Sequence, residues 1–371
     1  MAIIAGYQKG ESFGLLGPQM AATIIETYAS CQCIVIAVPR EVSIAALRGV
    51  LKAFFESQPP VIAFSNLGGR PDLFDLARDL KISGVITVLA GPQAGVDFAG
   101  EIGWEENPHR FRGLADHFNV ALQGPAEQII PLLNPSANSG RSEMHGLAYR
   151  DHDGRLVQQP PLPWSEKYLR AVNWDNIHII TDDGLKPLRI TMGQVLQQIG
   201  CPHAAKKKEC QIEYPAALTN PRAKKIRIAS KGCSFCDVAV DKGFHGRLGM
   251  DTVLSQVGCL PTSADGRKIP FELINENPLP GLADLLVEVK ARAISISQVN
   301  LTMRADWLAA GGKNLRNALK VARKMGVGIL LSSIGFESFD DAILRNFNKG
   351  LTTENHLEAI RLIRRIKQEF P

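Results

Sequence analysis

Twice along this chain, short runs rich in β-branched residues alternate with longer amphipathic stretches, and that double alternation restricts the fold more than any other feature. In the first 135 or so residues the runs Ala2–Ala5, Cys33–Val38, Pro60–Phe64, Val85–Ala90 and Val120–Leu122 read as strands. Helical patterns fall between and after them at Pro18–Tyr28, Ser43–Ser57, Pro71–Leu80 and Ala126–Leu133. This pattern predicts a five-stranded, doubly wound parallel sheet of the Rossmann or flavodoxin-like kind. A second alternation starts at Lys225, with strands at Ile226–Ala229, Ile269–Leu273, Ser295–Asn300 and Gly328–Ser333. Its helices are expected near Met250–Val257, Leu282–Ala293, Asn314–Met325 and Thr353–Gln368. Four strand–helix units are too few to close a barrel of parallel strands, so the expected fold is α/β, a doubly wound sheet followed by a partial (β/α) barrel.

The 371 residues are enough for two cores. Between them, from about Asn134 to Pro221, periodicity weakens, and Gln158-Gln159-Pro160-Pro161-Leu162-Pro163 cannot lie inside a helix or sheet. Three regions follow: a doubly wound domain over 1–138, a connector over 139–221 and a partial barrel over 222–371. Within the connector, Gly146–Tyr149 and Arg155–Val157 flank the turn dipeptide Asp153-Gly154 and predict a hairpin. Because the alternation stops abruptly at Pro371, the chain is expected to be a truncated piece. In the first domain a ligand would meet the strand-end segments Ser65–Gly69, Ala90–Gln93 and Gln123–Glu127.

No stretch approaches the roughly 18 apolar residues of a membrane span, and the start MAIIAGYQKGESFG lacks a basic region followed by a long apolar run. A cytoplasmic protein without a membrane partner is expected. Seven cysteines are too few and too scattered for a disulfide framework, and close cysteines in a reducing compartment suggest metal or redox chemistry. The net charge of +5 is modest, with basic clusters at Lys206–Lys208 and Arg222–Arg227 that read as a solvated linker or as a contact for an acidic substrate.

The richest stretch is Arg227-Ile228-Ala229-Ser230-Lys231-Gly232-Cys233-Ser234-Phe235-Cys236-Asp237, which sets Cys-x-x-Cys directly after the first strand of the second alternation. Thiolates two residues apart on a loop can share zinc, a redox disulfide or an iron–sulfur cluster. The surroundings resemble the radical S-adenosylmethionine (radical SAM) superfamily. A basic residue, Gly and Cys open its cluster loop, and Cys-Ser-Phe-Cys is similar to the loop's closing half. Pro270–Glu276 resembles the family's second strand with an acidic residue at its end, and Asn300–Asp306 its third strand with an Arg. Gly335-Phe336-Glu337-Ser338, followed by Asn348-Lys349-Gly350, resembles a further strand end and the helix after it.

The resemblance implies a [4Fe–4S] cluster held by Cys233 and Cys236, with Phe235 against the adenine and Glu276, Arg304 and Glu337 lining the S-adenosylmethionine pocket. It also implies reductive cleavage of S-adenosylmethionine to a 5′-deoxyadenosyl radical, with a reductant such as flavodoxin or ferredoxin as partner. The substrate is a small molecule or a modified macromolecule. The chain departs from the family in one respect. The family's loop is Cys-x-x-x-Cys-x-x-Cys, and here either Ala229 stands at the first cysteine or three residues are deleted. The third ligand is expected from Cys201, Cys210 or Cys259.

The first domain resembles the cobalamin-binding domains that precede many radical SAM enzymes. Leu89-Ala90-Gly91-Pro92-Gln93-Ala94 and Gln123-Gly124-Pro125-Ala126-Glu127 are similar to their Gly-Gly-Pro-His and Gly-Glu-Gly-Glu segments. No Asp-x-His-x-x-Gly offers a lower axial histidine. With cobalamin, the resemblance implies methyl transfer or a radical rearrangement. The loop Gly100–Gly113, with Trp104, His109 and Arg110, reads as a ligand cover or a plain surface loop. Two other readings remain: a structural zinc site made by Cys201, Cys210, Cys233 and Cys236 with His203 as substitute, and a degenerate binding module without a cluster.

Overall fold

A computed structural model describes residues 1–29, 31–56, 60–65, 67–133, 144–181, 183–213, 225–236, 238 and 243–371. Asn66, Asp237, Arg222 and the expected boundaries at 138/139 and 221/222 lie outside the described residues. The chain divides into two compact units, Met1–Thr191 and Met192–Pro371.

Unit 1 begins as the alternation predicts: β1 (Ala2–Tyr7), α1 (Leu16–Tyr28), β2 (Ile34–Pro39), α2 (Ile44–Phe55), β3 (Val61–Ser65), α3 (Pro71–Ile82), β4 (Ile86–Leu89), α4 (Pro92–Val96) and β5 (Val120–Leu122). The runs AIIAGY and IVIAVP are buried at every position, as strands must be when helices cover both faces of a parallel sheet. Ser43 caps α2 by accepting from the Ala46 amide at 3.1 Å, and Pro71 opens α3 where its missing N–H costs nothing. The core joins Ile4, Ile36, Phe64, Leu67, Leu73 and Phe118.

The expected helix over Ala126–Leu133 is a 3₁₀ turn, Ala126–Ile129, that continues into α5 (Ile130–Leu133). Four further strands follow from the stretch expected as a connector: β6 (Leu147–Arg150), β7 (Leu156–Gln158), β8 (Ile177–Thr181) and β9 (Gly184–Pro187). The sheet order is β7-β6-β5-β4-β3-β1-β2-β8-β9, nine strands among the described residues where five were expected. The reason is edge pairing. The predicted β6–β7 hairpin adds antiparallel to β5, while β8 adds parallel to β2 and β9 closes on β8, so neither outer strand of the inner sheet is left bare. The inner order 5-4-3-1-2 reverses between β1 and β3, which makes that crevice the switch point of a flavodoxin-like sheet.

Unit 2 is built on a four-stranded parallel sheet in the order β10 (Gly193–Leu196), β15 (Phe271–Ile274), β16 (Gln298–Arg304) and β17 (Gly328–Gly335). The segments between β10 and β15 are β11 (Gln198–Gly200), β12 (Lys207–Glu213), β13 (Lys225–Lys231), β14 (Phe244–Arg247) and α6 (Met250–Cys259). Later helices are α7 (Leu279–Ala291), α8 (Ala305–Ala310), α9 (Gly312–Met325), α10 (Asp341–Asn346) and α11 (Thr353–Glu369). α9 buries Leu315, Ala318 and Ala322, and α7 buries Leu282, Leu285, Leu286 and Val289. Each of these leucines contributes about 1.5–3 kcal/mol of burial.

One expectation is corrected. The strand expected at Ile226–Ala229 is part of β13, which pairs antiparallel with β12 in a separate two-stranded ribbon, and β10 takes the first place in the parallel sheet. The local pattern hid this because Gly193-Gln194-Val195-Leu196 is short and mixed, whereas Lys225–Lys231 alternates cleanly. The edge of β10 is satisfied by a side chain: buried Gln256 of α6 accepts from the Leu196 amide at 2.8 Å and donates to the Leu196 carbonyl at 3.2 Å.

Candidate functional site

Because the four strands of unit 2 run parallel, their carboxyl ends gather at one pole, and the singled-out residues stand there. β15 leads into Asn275-Glu276, β16 ends on Arg304, and β17 leads through Gly335 to Glu337. Arg304 is 6% exposed, and its guanidinium is fully engaged. Nε and Nη2 donate to the two Asp306 carboxylate oxygens at 3.0 and 3.1 Å, Nη2 also donates to the Lys349 carbonyl at 2.6 Å, and Nη1 approaches Cys233 Sγ at 3.8 Å. Trp307 stacks beneath it, 5.1 Å from ring centroid to Cζ.

Lys349, 4% exposed, pairs with Glu337 Oε1 at 2.5 Å and stands 5.7 Å over the Phe235 ring. Glu337 takes a left-handed φ of +37°, a conformation that costs an L-residue energy and directs its carboxylate at Lys349. A Cβ on Gly335 would fall 2.7 Å from that carboxylate and 2.8 Å from the ammonium, so a larger residue there would push the pair aside. Phe235 keeps one face in solvent and packs edge-on against Phe347 at 5.1 Å.

Cys233 and Cys236 lie in a tight turn closed by the Cys236 amide donating to the Cys233 carbonyl at 3.1 Å. Asn348 fastens this loop by donating from Nδ2 to the Gly232 carbonyl at 2.7 Å, and the Ser234 amide donates to the Phe347 carbonyl at 2.9 Å. Burial pushes the Cys233 thiol up, opposed by the cations Lys349 and Arg304. Burial pushes the Cys201 thiol up to about 11, with the nearby Glu276 carboxylate also raising it and Arg304 lowering it.

Sequence reasoning missed the roles of Asn348 and Lys349 as clamps, although both sit in the quoted Asn348-Lys349-Gly350. It also gave no role to Glu272, whose carboxylate accepts from Thr302 Oγ1 at 2.8 Å and from Gln194 Nε2 at 3.3 Å. These three side chains form a polar row across β10, β15 and β16.

The four cysteines of the zinc alternative are not drawn together. Among the described residues no group of three or more His, Cys, Asp or Glu is placed to hold a metal ion. A single zinc draws its thiolates to about 2.3 Å, whereas a four-iron cluster spreads its cysteines over separate irons and needs wider spacing. Two soft thiols in one turn, with a guanidinium and an ammonium beside them, are a donor set that fits an iron–sulfur cluster.

In unit 1 the strand-end segments at β3, β4 and β5 are stitched together by glutamines. Gln93 Oε1 accepts from the Leu67 amide at 3.0 Å, Gln123 Nε2 donates to the Ala94 carbonyl at 3.2 Å, and buried Gln128 bonds the carbonyls of Gln123 and Pro125. Gly91, at φ +76°, has room for no Cβ because Ser65 Oγ would stand 2.7 Å away, whereas Gly68 beside the switch point faces open space. The Gly100–Gly113 loop is pinned at its base by the contact of Gly100 with Gly113, and its Arg112 stacks on its own Trp104 at 5.2 Å. It shares a groove with Phe74 and Arg78 of α3.

A doubly wound unit with its hairpin edge, followed by parallel strand–helix units, is similar in fold to solved structures of a cobalamin-dependent S-adenosylmethionine radical enzyme. The particular protein it resembles is OxsB, a cobalamin-dependent S-adenosylmethionine radical enzyme. The form with aqua-cobalamin and S-adenosylmethionine bound matches with a TM-score of 0.58 at 15% identity, over 98% of this chain and 47% of that one. The form with aqua-cobalamin alone gives 0.57 at 15% identity, and the selenomethionine-labelled apo form 0.54 at 14%, with the same coverage. The chain thus spans about half the length of these structures, and at this identity the likeness is one of fold. No protein-family model matches the chain, and no curated protein does. Among the described residues no helix is long and apolar enough to cross a membrane.

Proposed function

We propose that the chain is the cobalamin-binding and cluster-binding portion of a radical SAM enzyme, in which Cys233 and Cys236 ligate a [4Fe–4S] cluster. The observation that carries this reading is the Cys233–Cys236 turn held against Arg304 and Lys349 at the carboxyl pole of parallel strands, in a fold shared with OxsB. When bound, the cluster supplies an open iron for the amino and carboxylate groups of S-adenosylmethionine and the electron that breaks its sulfonium bond to a 5′-deoxyadenosyl radical.

The chain's own residues prepare the ground. Arg304 and Lys349 set positive charge beside Cys233 and favour its thiolate, while Asp306 fixes the guanidinium in a bidentate fork. Glu276 and Glu337, the latter paired with Lys349, set carboxylates at the strand ends near where S-adenosylmethionine would bind, and the open face of Phe235 suits its adenine. Unit 1 would hold cobalamin over the β1/β3 crevice without a histidine motif for the lower face. Methyl transfer or a radical rearrangement on a small or macromolecular substrate is the activity we assign, with flavodoxin or ferredoxin as reductant, in the reducing cytoplasm that seven free cysteines suit.

Anaerobic reconstitution with iron and sulfide tests the reading. About four irons per chain, a reduced-cluster resonance altered by S-adenosylmethionine, and loss of both in the Cys233→Ala/Cys236→Ala variant are expected. Stoichiometric zinc with no iron uptake would overturn it in favour of a structural metal.

A further inference from the structure

We propose that Cys201 is the third thiolate of the cluster, so that the ligand motif of this chain is split in two by the β12–β13 ribbon; the inference rests on the reading that Cys233 and Cys236 bind the cluster. Its starting point is the corrected topology. With β10 as the first parallel strand, the chain leaving the carboxyl pole of that strand runs through β11 straight into Cys201. Only then does it make the ribbon and return to Cys233.

Both ends of the Cys233–Cys236 loop are tied to the Cys201 segment. Ahead of Cys233, the Gly232 carbonyl is held by Asn348, and the Asn348 carbonyl in turn bonds His203 Nε2 at 2.8 Å. Beyond Cys236, Gly243 receives the Cys201 amide at 2.8 Å, and Gly200 pairs with Phe244 across β11 and β14. Gly350 completes the clamp, since a Cβ there would stand 3.0 Å from the His203 ring. Arg304 Nη1 stands 3.8 Å from Cys233 Sγ at the same pole.

The other candidates in unit 2 point elsewhere. Cys210 is mid-strand in β12, opposite Ile228, several residues along the ribbon from its base. Cys259 ends α6, and the residues after it bond to Lys268 and Ile269, which precede β15 at the amino pole. Cys201 alone shares the carboxyl pole with Cys233 and Cys236.

The test uses the full chain, reconstituted anaerobically with ferrous iron and sulfide. In the unmutated protein, thiol alkylation mapped by mass spectrometry should protect Cys201, Cys233 and Cys236 together and release all three when iron is chelated, while exposed Cys259 reacts equally in both states. Cys201→Ala should hold at least about tenfold less iron, with Cys201→Ser intermediate, whereas Cys210→Ala and Cys259→Ala match the wild type. Circular dichroism melts of each apo variant report folding separately. Cys201 alkylated at one rate with and without cluster, while Cys233 and Cys236 are protected, would overturn this proposal and leave the cluster reading standing. Protection of Cys210 in its place would do the same. Failure of Cys233→Ala/Cys236→Ala to reduce iron binding would overturn both.

Discussion

All three nitrogens of the Arg304 guanidinium are engaged by the protein: Nε and Nη2 donate to Asp306, Nη2 also serves the Lys349 carbonyl, and Nη1 faces Cys233. Lysine carries the charge but not the fork, so Arg304→Lys leaves a buried carbonyl and a carboxylate oxygen unserved at a cost of about 2–3 kcal/mol. In a unit of this size that lowers the apo melting temperature by roughly 4–12 °C, and a change of less than about one degree would refute the assignment. His356 gives a second prediction. Its ring is fully buried against Phe336 and Phe339, and burial pushes its pKa down, helped by Lys349 and opposed by Glu337, the Ser338 backbone and Asp306. A lowered folded-state value means that the unfolded chain binds the extra proton, so this stability is present above about pH 6.5 and lost as pH falls through the folded value. The melting temperature of the unit 2 transition should therefore drop between about pH 7.5 and 5.5, with partly buried His203, also lowered, adding to it. His356→Phe should shrink that drop; an unchanged profile would show that His356 does not titrate with folding. At this scale the sequence exposed Cys233, Cys236, Arg304 and Glu337, because strand-end position and residue type are local properties. It could not expose the bond between His203 and the Asn348 carbonyl, which joins residues far apart in the chain.

Gly200 decides whether β11 can reach β14. It sits at φ +78°, and a Cβ there would fall onto the Gly243 carbonyl, a backbone group that cannot swing aside. Gly200→Ala should therefore break the Gly200–Phe244 pairing together with the Cys201 amide bond and cost about 2–4 kcal/mol, read as a lowered urea midpoint with an unchanged slope. Fast hydrogen exchange at the Cys201 amide should accompany it. A variant as stable as the wild type would mean that this bridge is not formed. Elements were legible where one physical cause acted alone. β1 and β2 are uniformly apolar because they are buried on both faces, and α9 shows its stripe because one face alone is covered. β8, with His178 and Thr181, and β10, with Gly193 and Gln194, escaped because they are sheet additions whose partners supply the pairing that their own composition does not announce.

The whole chain carries two cores, one in Met1–Thr191 around Ile4, Phe64 and Phe118, the other in Met192–Pro371 around Phe271, Leu285 and Leu301. Two-state behaviour holds for single cores, so calorimetry should resolve two transitions rather than one. The ligands proposed here should then act separately, because a ligand stabilises only the unit that binds it, by RT ln(1 + [L]/Kd). Cobalamin at about a hundredfold excess over its dissociation constant contributes about 2.7 kcal/mol, which for a unit of this size raises its transition by roughly 5–10 °C. That shift belongs to the transition lost when residues 192–371 are expressed alone. Cluster assembly should raise the other transition, and in Cys233→Ala/Cys236→Ala that rise should vanish while the cobalamin shift remains. One transition moved by both ligands would mean that the two cores melt as a single cooperative body. Two transitions of which neither responds to cobalamin would remove the cofactor from unit 1 and leave its doubly wound sheet as a fold without that ligand.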